Sequence, residues 1–275
     1  MIVKVLTASA LLITLATANE NKKIESFLED KFSENPSITS LKVKVNEMLT
    51  LKDIKRWKAA IVTVDATLKT KGKDKKIKQK MIWFTDGQLI TKELTNLSNG
   101  ESLRDLVSPK FKDSYYSKEN LIYGNANAKH KVVIFSDPLC PFCGTFVPEA
   151  IKYMKKSPHK FAIYYYHFPL PNLHPAAVEL SQAAIAAEMQ GVKDVVLKMY
   201  DISINSKQRD VKKILKAFNK TMKTNIKPSD IRSAKVMAHF KNDLKTADDV
   251  MVQGTPTMFF NGIVDKTKRK YKEAK

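Results

Sequence analysis

The sequence predicts an α/β protein of two structural units, a small helix-and-sheet (α+β) domain followed by a larger α/β domain. Its 275 residues suggest about two domains, at the usual ~150 residues each. In the second half, short apolar runs at 131–136 and 161–168 indicate strands on either side of a helical pattern at 141–154, which makes a strand-helix-strand crossover unit. A mainly helical stretch at 175–251 and a terminal hairpin at 257–264 complete this domain.

The first half predicts one helix packed on a small antiparallel sheet. Apolar residues recur at helical spacing over 21–32, and apolar residues alternate with lysines over 41–45, as in a half-buried strand. A second β-rich run at 57–68 leads into a strongly basic tip at 69–80. The pair Asp86-Gly87 then predicts a hairpin whose two central residues both have φ > 0. A unit of this size buries limited apolar surface, so pairing with a second copy would add to its core.

A short punctuated segment separates the two units. The turn residues Ser98-Asn99-Gly100 precede a helical pattern that Pro109 stops, which predicts a linker helix. We therefore expect an N-terminal domain at 19–97, the linker helix at 98–121, and a catalytic domain at 122–275 with a helical insertion at about 169–250.

Residues 1–18 have the features of a secretory signal peptide. An apolar stretch at 5–15 is too short to span a bilayer, follows the positive charge of Lys4, and precedes the small-x-small sequence Ala16-Thr17-Ala18. We expect cleavage after Ala18. Because no later segment approaches ~20 uninterrupted apolar residues, we expect a soluble protein outside the cytoplasm, in the periplasm of a Gram-negative bacterium.

The charge of the chain is strongly positive and is carried mainly by lysine. There are 48 basic and 28 acidic side chains, and the formal net charge is +20. Arginine is the residue that recognises phosphates and guanine with two hydrogen bonds, whereas lysine is strongly hydrated. We therefore interpret the charge as a solvated surface and expect no nucleic acid partner. A negatively charged membrane surface or acidic client proteins stay open as weakly attracted partners.

The two cysteines of the chain, Cys140 and Cys143, carry the predicted chemistry. They lie where a predicted strand gives way to a helix, with Cys140 at the helix N-terminus and Pro141 in the first turn, where its missing N–H costs nothing. The positive end of the helix dipole stabilises a thiolate there, so Cys140 is the expected nucleophile. Cys143 is one helical turn deeper, within bonding reach, and is the expected resolving thiol.

Other uses of a cysteine pair fit the sequence less well. A structural zinc site needs two more ligands, and the histidines show no paired metal spacing, so we expect no metal. Haem attachment needs a histidine where the chain has Gly144. A structural disulfide closing so short a loop removes little entropy from the unfolded chain. We therefore expect no cofactor apart from a redox-active Cys140–Cys143 disulfide, and we interpret His167 and His174 as local hydrogen-bonding residues.

The segment 135–146, Phe-Ser-Asp-Pro-Leu-Cys-Pro-Phe-Cys-Gly-Thr-Phe, together with Gly254-Thr255-Pro256, carries a resemblance. It is similar to the thioredoxin-fold thiol:disulfide interchange proteins of the bacterial Dsb group, most of all the DsbG/DsbC type. The segment 167–177 and the helices after it resemble the helical insertion of DsbA-like proteins. For residues 19–121, likeness to the dimerisation domain and linker helix of the DsbG/DsbC type rests on architecture.

The resemblance implies a thioredoxin-like catalytic domain in which the peptide bond before Pro256 is cis. Such a bond exposes neighbouring backbone groups to an extended client segment, so Thr255 and Pro256 are expected to position substrate. Pro141 and Phe142, between the cysteines, are expected to tune the redox behaviour of the site. Asp137 either tunes the thiols or caps the helix, and its place just before the helix start favours capping.

These features together predict a periplasmic protein disulfide oxidoreductase or isomerase. Thiol–disulfide exchange through Cys140 would pass disulfides to exported clients or rearrange wrong ones, and the sequence leaves the dominant direction open. The resemblance further implies a membrane redox partner of the Dsb type and a homodimer. Two alternatives stay open, a monomeric DsbA-like disulfide oxidase and a non-enzymatic holdase chaperone.

Overall fold

The computed structural model describes residues 5–51, 54–70 and 72–275 of the chain. It divides into two compact units, Met1–Pro109 and Lys110–Lys275. The second unit thus begins twelve residues before the boundary expected from the sequence, because the segment after Pro109 packs with the C-terminal sheet. The Phe111 N–H, for example, donates a hydrogen bond of 2.8 Å to the Gly262 carbonyl of that sheet's last turn.

The N-terminal unit is a helix on an antiparallel sheet. A helix, α1 (Val5–Ser33), is followed by four strands, β1 (Ile38–Thr50), β2 (Lys58–Thr70), β3 (Lys73–Thr85) and β4 (Ile90–Thr91), which pair in chain order. The alternation predicted for the first strand is present, because Val43 and Val45 are buried while Lys42 and Lys44 are exposed. Its core is an apolar cluster of Ile24, Leu28, Val43, Val45, Ala60, Val62 and Trp83.

Helix α1 also covers the outer edge of strand β1 with two carboxylates. Glu25 Oε1 accepts a hydrogen bond of 2.8 Å from the Val45 N–H, and Glu29 Oε1 accepts one of 2.9 Å from the Val43 N–H. The two glutamates are one helical turn apart and the two valines two residues apart, so the spacings of helix and strand match. Backbone donors that an edge strand leaves unpaired are therefore satisfied here.

Two turns of this unit differ from the sequence-based expectation. Most of the basic segment 69–80 lies within the paired strands β2 and β3, and the tip is reduced to the connection between Thr70 and Lys73. At the next turn only Gly87 has positive φ, at 92°. The Asp86 carboxylate instead accepts hydrogen bonds from the Gln88 and Leu89 N–H groups, at 3.0 and 2.8 Å, which supports a longer loop than the two-residue turn expected.

The linker helix predicted at 98–121 is wrong. The segment contains three short 3-10 turns, at 103–106, 113–115 and 118–120, and ends in a strand. The first turn is started by the Ser102 hydroxyl, which accepts from the Arg104 N–H, and stops where Val107 becomes extended. Leu103 and Val107 are buried although the backbone around them lacks the regular hydrogen bonds of an α-helix, so the apolar spacing reflects burial and not a helix.

Helix α1 begins earlier than the predicted helix at 21–32. The backbone of residues 5–18, the predicted signal peptide, continues the same helix, and residues 1–4 lie outside the described part of the chain. Apolar leader sequences favour helix, so this conformation does not test cleavage after Ala18, which stays a prediction. Among the described residues, no helix combines the length and apolar character needed to cross a membrane.

The C-terminal unit is built on a mixed five-stranded sheet of order β5-β7-β6-β8-β9. Its strands are β5 (Leu121–Tyr123), β6 (His130–Ser136), β7 (Phe161–His167), β8 (Thr257–Phe260) and β9 (Ile263–Val264). Strands β6 and β7 are parallel and joined by helix α2 (Pro141–Lys155), while β8 runs antiparallel to β6. The predicted crossover unit and terminal hairpin are therefore present, and the fold class is confirmed.

Helices of the insertion pack mainly on the face of this sheet that also contacts α2, while Ala247 and Val250, at the end of the insertion, belong to the apolar cluster on the other face. The helices are α3 (Ala177–Met189), α4 (Val195–Lys198), α5 (Val211–Met222), α6 (Pro228–Ile231) and α7 (Ala234–Asp249), followed at the C-terminus by a one-turn helix α8 (Lys270–Glu273). The helix expected at 192–204 is only α4 and a 3-10 turn, and the one expected at 229–251 is two helices, α6 and α7. The break falls at Ser233, whose hydroxyl caps α7.

A buried polar cluster attaches α7 to strand β7. Asp243 Oδ1 accepts a hydrogen bond of 2.7 Å from the Asn120 side chain, and its Oδ2 accepts one of 2.9 Å from the His167 N–H. The His239 Nε2 lies 3.2 Å from the same Asn120 nitrogen. Burial raises the pKa of Asp243 well above its usual value and lowers the pKa of His167 to about 3.

Candidate functional site

The two cysteines lie at the start of helix α2, where the sequence places them. Cys140 is the N-cap residue, with extended backbone (φ −74°, ψ 121°), and Pro141 is the first helical residue. The Gly144 N–H donates to the Cys140 carbonyl at 3.0 Å, which closes the first helical turn. Both cysteines are free thiols; Cys140 retains 7% of its surface exposed, whereas Cys143 is fully buried. Cys140 thus lies closer to the surface than Cys143.

The segment containing Thr255 and Pro256 lies directly against the first cysteine. The peptide bond between them is cis. The Cys140 Sγ lies 3.6 Å from the Thr255 carbonyl oxygen, to which the thiol donates a weak hydrogen bond. The Thr257 hydroxyl donates to the Gly254 carbonyl at 2.7 Å and fixes the turn that precedes the strand. The structure therefore brings together two sequence signals that are 115 residues apart in the chain.

Burial and the neighbouring polar groups shift the pKa of the Cys143 thiol in opposite directions. Burial, with a smaller contribution from the negative charge of a Cys140 thiolate, raises the pKa of the Cys143 thiol to about 11. The Ser136 and Thr255 side chains and the Asp137 backbone lie next to the thiol and partly oppose this shift. At neutral pH Cys143 is therefore protonated in the resting dithiol.

Asp137 does not cap helix α2, contrary to the interpretation favoured from the sequence. Helix α2 has no side-chain cap, and the Asp137 carboxylate is fully buried. Its Oδ1 accepts from the Leu139 N–H at 2.7 Å, and its Oδ2 accepts from the Leu170 N–H at 2.8 Å. The same Oδ2 lies 3.0 Å from the His174 Nδ1. Asp137 thus connects the loop before the cysteines to the proline-rich segment after β7, and the contact of His174 is to a residue 37 positions away, not to a local one as interpreted.

A chain of buried hydroxyl groups lies behind Cys143, and sequence reasoning missed it. The Ser136 Oγ lies 2.7 Å from the Tyr200 hydroxyl, which lies 3.0 Å from the Tyr165 hydroxyl. Ser136 belongs to the quoted motif and ends strand β6, so its position was available from the sequence. Nothing in the sequence marks Tyr200, which comes from the 3-10 turn after α4.

Phe142 and Pro141 lie on the solvent side of the cysteine pair. The Phe142 side chain is 77% exposed, an unusual state for a large aromatic residue, and Pro141 is exposed as well. Phe142 therefore contributes apolar surface close to Cys140 and makes little contribution to the core. Among the described residues, no group of three or more potential ligands is arranged to hold a metal ion.

Comparisons with known proteins give weak overall matches to individual relatives. The chain is 25% identical over 146 residues to a Na(+)/H(+) antiporter NhaA 1 of Mycolicibacterium vanbaalenii, a match that covers 53% of this chain and 24% of that protein. A second antiporter of that name, from Mycolicibacterium gilvum, is 27% identical over 143 residues, with 51% and 23% covered. The chain thus spans about a quarter of the length of the curated relatives it matches.

Solved structures of similar fold include BdbD from Bacillus subtilis, in its oxidised form, with a TM-score of 0.47 and 20% identity over 61% of this chain and 92% of that chain. The thiol-disulfide exchange protein alpha-DsbA2 from Wolbachia pipientis has a TM-score of 0.47 and 18% identity, over 59% and 89%. The catalytic domain of Proteus mirabilis ScsC has a TM-score of 0.42 and 21% identity, over 59% and 93%.

The sequence profile of the thioredoxin family matches residues 116–275, which is more than half of the chain and nearly all of the C-terminal unit. The matched region contains both cysteines, the cis-proline segment and the whole five-stranded sheet. The chain therefore belongs to the thioredoxin family.

Proposed function

We propose that this protein exchanges disulfides with exported client polypeptides through Cys140. The observation that carries the proposal is the placement of the Cys140 sulfur at the N-terminus of α2, 3.6 Å from the carbonyl that precedes the cis-proline. The helix terminus supplies unpaired N–H groups and a positive dipole for a thiolate, and the adjacent backbone offers a place for an extended chain. Cys143 lies one turn deeper and completes the cycle.

The exchange proceeds through a mixed disulfide in either direction. In the oxidised protein, a client thiolate attacks the Cys140 sulfur, the Cys140–Cys143 bond breaks, and Cys143 leaves with the electron pair. A second client thiolate then attacks the client sulfur and releases Cys140. In the reduced protein, the Cys140 thiolate attacks a client disulfide, and either a client thiol or Cys143 resolves the mixed disulfide.

Client chains would be held by backbone and apolar contacts around the cysteines. The Thr255 carbonyl and the neighbouring cis-proline present a short backbone edge to which an extended segment can add. Phe142 adds an exposed aromatic surface at the same place. Both features bind a client without reading its sequence, which suits a protein that acts on many polypeptides.

The burial of Cys143 supports an isomerase direction, as in the DsbG/DsbC type. Because burial raises its pKa to about 11, only a small fraction of Cys143 is thiolate at neutral pH, and its attack on a mixed disulfide is slow. A client thiol then has time to rearrange the bond. We further propose export to the periplasm after cleavage behind Ala18, a membrane redox partner of the Dsb type, and dimerisation through the N-terminal unit.

The test compares refolding of a scrambled disulfide client with oxidation of a reduced client. Wild type should recover the scrambled client faster than an uncatalysed control, and Cys140→Ser should lose all of this activity. If the reduced client responds more strongly and the protein is monomeric by its mass in solution, the DsbA-like oxidase alternative replaces the proposal. If the Cys140→Ser, Cys143→Ser double variant still suppresses client aggregation while wild type lacks exchange, the holdase alternative replaces it.

A further inference from the structure

The register of the N-terminal sheet places lysines of strands β1 and β3 on one face. Directly opposed residues of paired strands have their side chains on the same side of a sheet, and the pairing has no shift between Ser40 and Val45. Three rows therefore cross the sheet, each with one residue of β1, β2 and β3 in that order: Lys44, Thr63 and Lys80; Lys42, Asp65 and Lys78; Ser40, Thr67 and Lys76. We call this surface the lysine face.

The lysine face is the side of the sheet that is turned away from helix α1. Val43 and Val45 of β1 and Val62 of β2 alternate with the residues of the rows and belong to the apolar cluster under α1. On the lysine face, Lys80 is half-buried, and four lysines are exposed: Lys42, Lys44, Lys76 and Lys78. Within the described part of the chain, none of these four side chains forms an ion pair. Their charges are therefore available to a partner.

Few carboxylates offset the positive charge of this face. Asp65 lies at its centre, on β2, and Glu47 of β1 begins the next row toward the buried end of the sheet. Beyond the third row, Lys69 and Asp74 lie opposite each other, so their charges offset one another. The lysine face thus consists of two positive columns, on β1 and β3, with Asp65 and two threonines between them.

The spacing of the two columns follows from sheet geometry. Alternate residues of one strand are about 6.7 Å apart, and β1 and β3 are separated by two strand spacings, about 9.5 Å. The backbone positions of the five lysines therefore lie within roughly 14 by 10 Å. Neighbouring charges are thus no further apart than the Debye length at 0.1 M salt, about 10 Å. A charged surface placed against this face would interact with all of them together.

We propose that the lysine face binds the surface of a membrane that contains anionic phospholipids. Lysine carries a compact, hydrated charge and lacks the planar fork with which arginine holds a single phosphate or carboxylate, so the face suits many distributed anions. An extended acidic polypeptide could follow only one column, and Asp65 would repel it between the columns. Lipid headgroups can lie opposite both columns at once. The proposal goes beyond the exchange of disulfides and does not depend on it.

Binding through this face should be electrostatic and should leave the protein on the membrane surface. The large apolar side chains that are exposed in the described part of the chain all lie outside the three rows, so the face offers none that could insert among lipid tails. The attraction of exposed charges is screened by salt. We therefore expect reversible binding that weakens as the salt concentration rises.

Co-sedimentation with vesicles of two lipid compositions tests the proposal. The full chain is mixed with vesicles of phosphatidylcholine alone, which has no net charge, or with vesicles of one part anionic phosphatidylglycerol to two parts phosphatidylcholine. Binding is measured at about 0.05 M and about 0.5 M salt. Every variant keeps residues 1–18, so binding through that apolar segment is measured on phosphatidylcholine alone and cancels in the comparison.

Wild type should bind the anionic vesicles more tightly than the neutral ones, and the difference should disappear at the higher salt concentration. Each single variant, Lys42→Gln or Lys78→Gln, should weaken the binding that depends on phosphatidylglycerol about fivefold. A variant with glutamine at all four exposed positions should weaken it at least about a hundredfold. Circular dichroism checks its folding, and the single variants suffice for the test if it does not fold.

Four exposed lysines of helix α5 provide the matched control, because their replacement by glutamine removes the same charge from the C-terminal unit: Lys212, Lys213, Lys216 and Lys220. This control should bind within about twofold of wild type. Equal losses in the two fourfold variants would show that net charge and not the lysine face is responsible, and the proposal would be wrong. Equal binding of wild type to both kinds of vesicle would also overturn it.

Two further measurements separate the remaining explanations. If a polyglutamate peptide binds wild type through the four exposed lysines while anionic vesicles do not, the face is a site for acidic polypeptides and the membrane proposal is wrong. Release of thionitrobenzoate from the disulfide reagent DTNB, measured on the same proteins, should be the same in wild type and both fourfold variants. Loss of this release in wild type would contradict the proposed exchange through Cys140 and would leave the vesicle result unaffected.

Discussion

Acidification should destabilise the C-terminal unit through His167, whose ring is buried at the end of β7. The side chain is 1% exposed, and its Nδ1 has no hydrogen-bond partner among the described residues. Burial and the neighbouring His239 lower the pKa of His167 from 6.5 to about 3. The folded protein therefore keeps this ring neutral at a pH at which the unfolded chain protonates it.

The sign and size of the effect follow from linkage. Below the unfolded pKa of 6.5 the unfolded state binds one more proton, so the free energy of unfolding falls as the pH falls, until the folded pKa near 3 is reached. Each pH unit in this window corresponds to about 1.4 kcal/mol. Between pH 6.5 and pH 5, His167 alone should therefore remove about 2 kcal/mol.

Urea unfolding of wild type and His167→Phe at pH 7 and pH 5 measures this contribution. Phenylalanine keeps the ring that contacts Tyr165 edge-on at 5.0 Å between centroids, and it has no titratable nitrogen. Other groups, including Asp243, titrate in both proteins and largely cancel in the difference. Wild type should lose about 2 kcal/mol more than His167→Phe over this range. Equal losses in the two proteins would refute the reasoning.

Three further substitutions test the site and both units. Asp137→Ala leaves the Leu139 and Leu170 N–H groups without their acceptor and should cost about 2–4 kcal/mol in urea unfolding; a cost below about 0.5 kcal/mol would show that water replaces the carboxylate. Phe142→Ser, at a 77% exposed side chain, should change stability by less than about 0.5 kcal/mol but raise KM for unfolded clients severalfold, and an unchanged KM would remove Phe142 from client binding. Leu28→Ala leaves a cavity in the core under α1 and should destabilise the N-terminal unit by about 2–5 kcal/mol, measured by amide hydrogen exchange of that unit. Release of thionitrobenzoate from the disulfide reagent DTNB by the cysteines should stay unchanged, and an altered release would contradict this prediction.

Elements whose folding signals are local were predictable from the sequence. Strand β6, helix α2 and strand β7 follow the predicted ranges within one residue, because each strand is a short apolar run and the helix begins at a proline. The same holds for the positions of the two cysteines, since Pro141 fixes the helix start. These features are determined by residues that are close together in the sequence, and a sequence pattern shows such residues directly.

Contacts between distant segments could not be predicted in the same way. The partners of the Asp137 carboxylate, Leu170 and His174, follow it by 33 and 37 residues, and Tyr200 follows Ser136 by 64. An aspartate before a helix favours capping, but here the Asp137 carboxylate accepts a hydrogen bond from the distant Leu170 N–H and contacts His174 instead. The linker helix was wrong for a related reason, because Leu103 and Val107 are buried without a regular helical backbone.

The carboxylates of Glu25 and Glu29 restrict how a second copy of this chain could join the first. They occupy the N–H groups of Val45 and Val43 that a neighbouring strand would need, so extension of the sheet across β1 at this point would first break two hydrogen bonds.

At the opposite edge of the sheet, positive charge opposes the addition of a strand from a second copy. Beyond its two-residue pairing with β4, strand β3 carries five lysines between 73 and 80, and two copies brought edge to edge there would repel each other. A dimer of this unit would therefore have to form through the faces of the sheet. For the same reason, a misfolded chain would have few strand edges to which it could add by β-pairing.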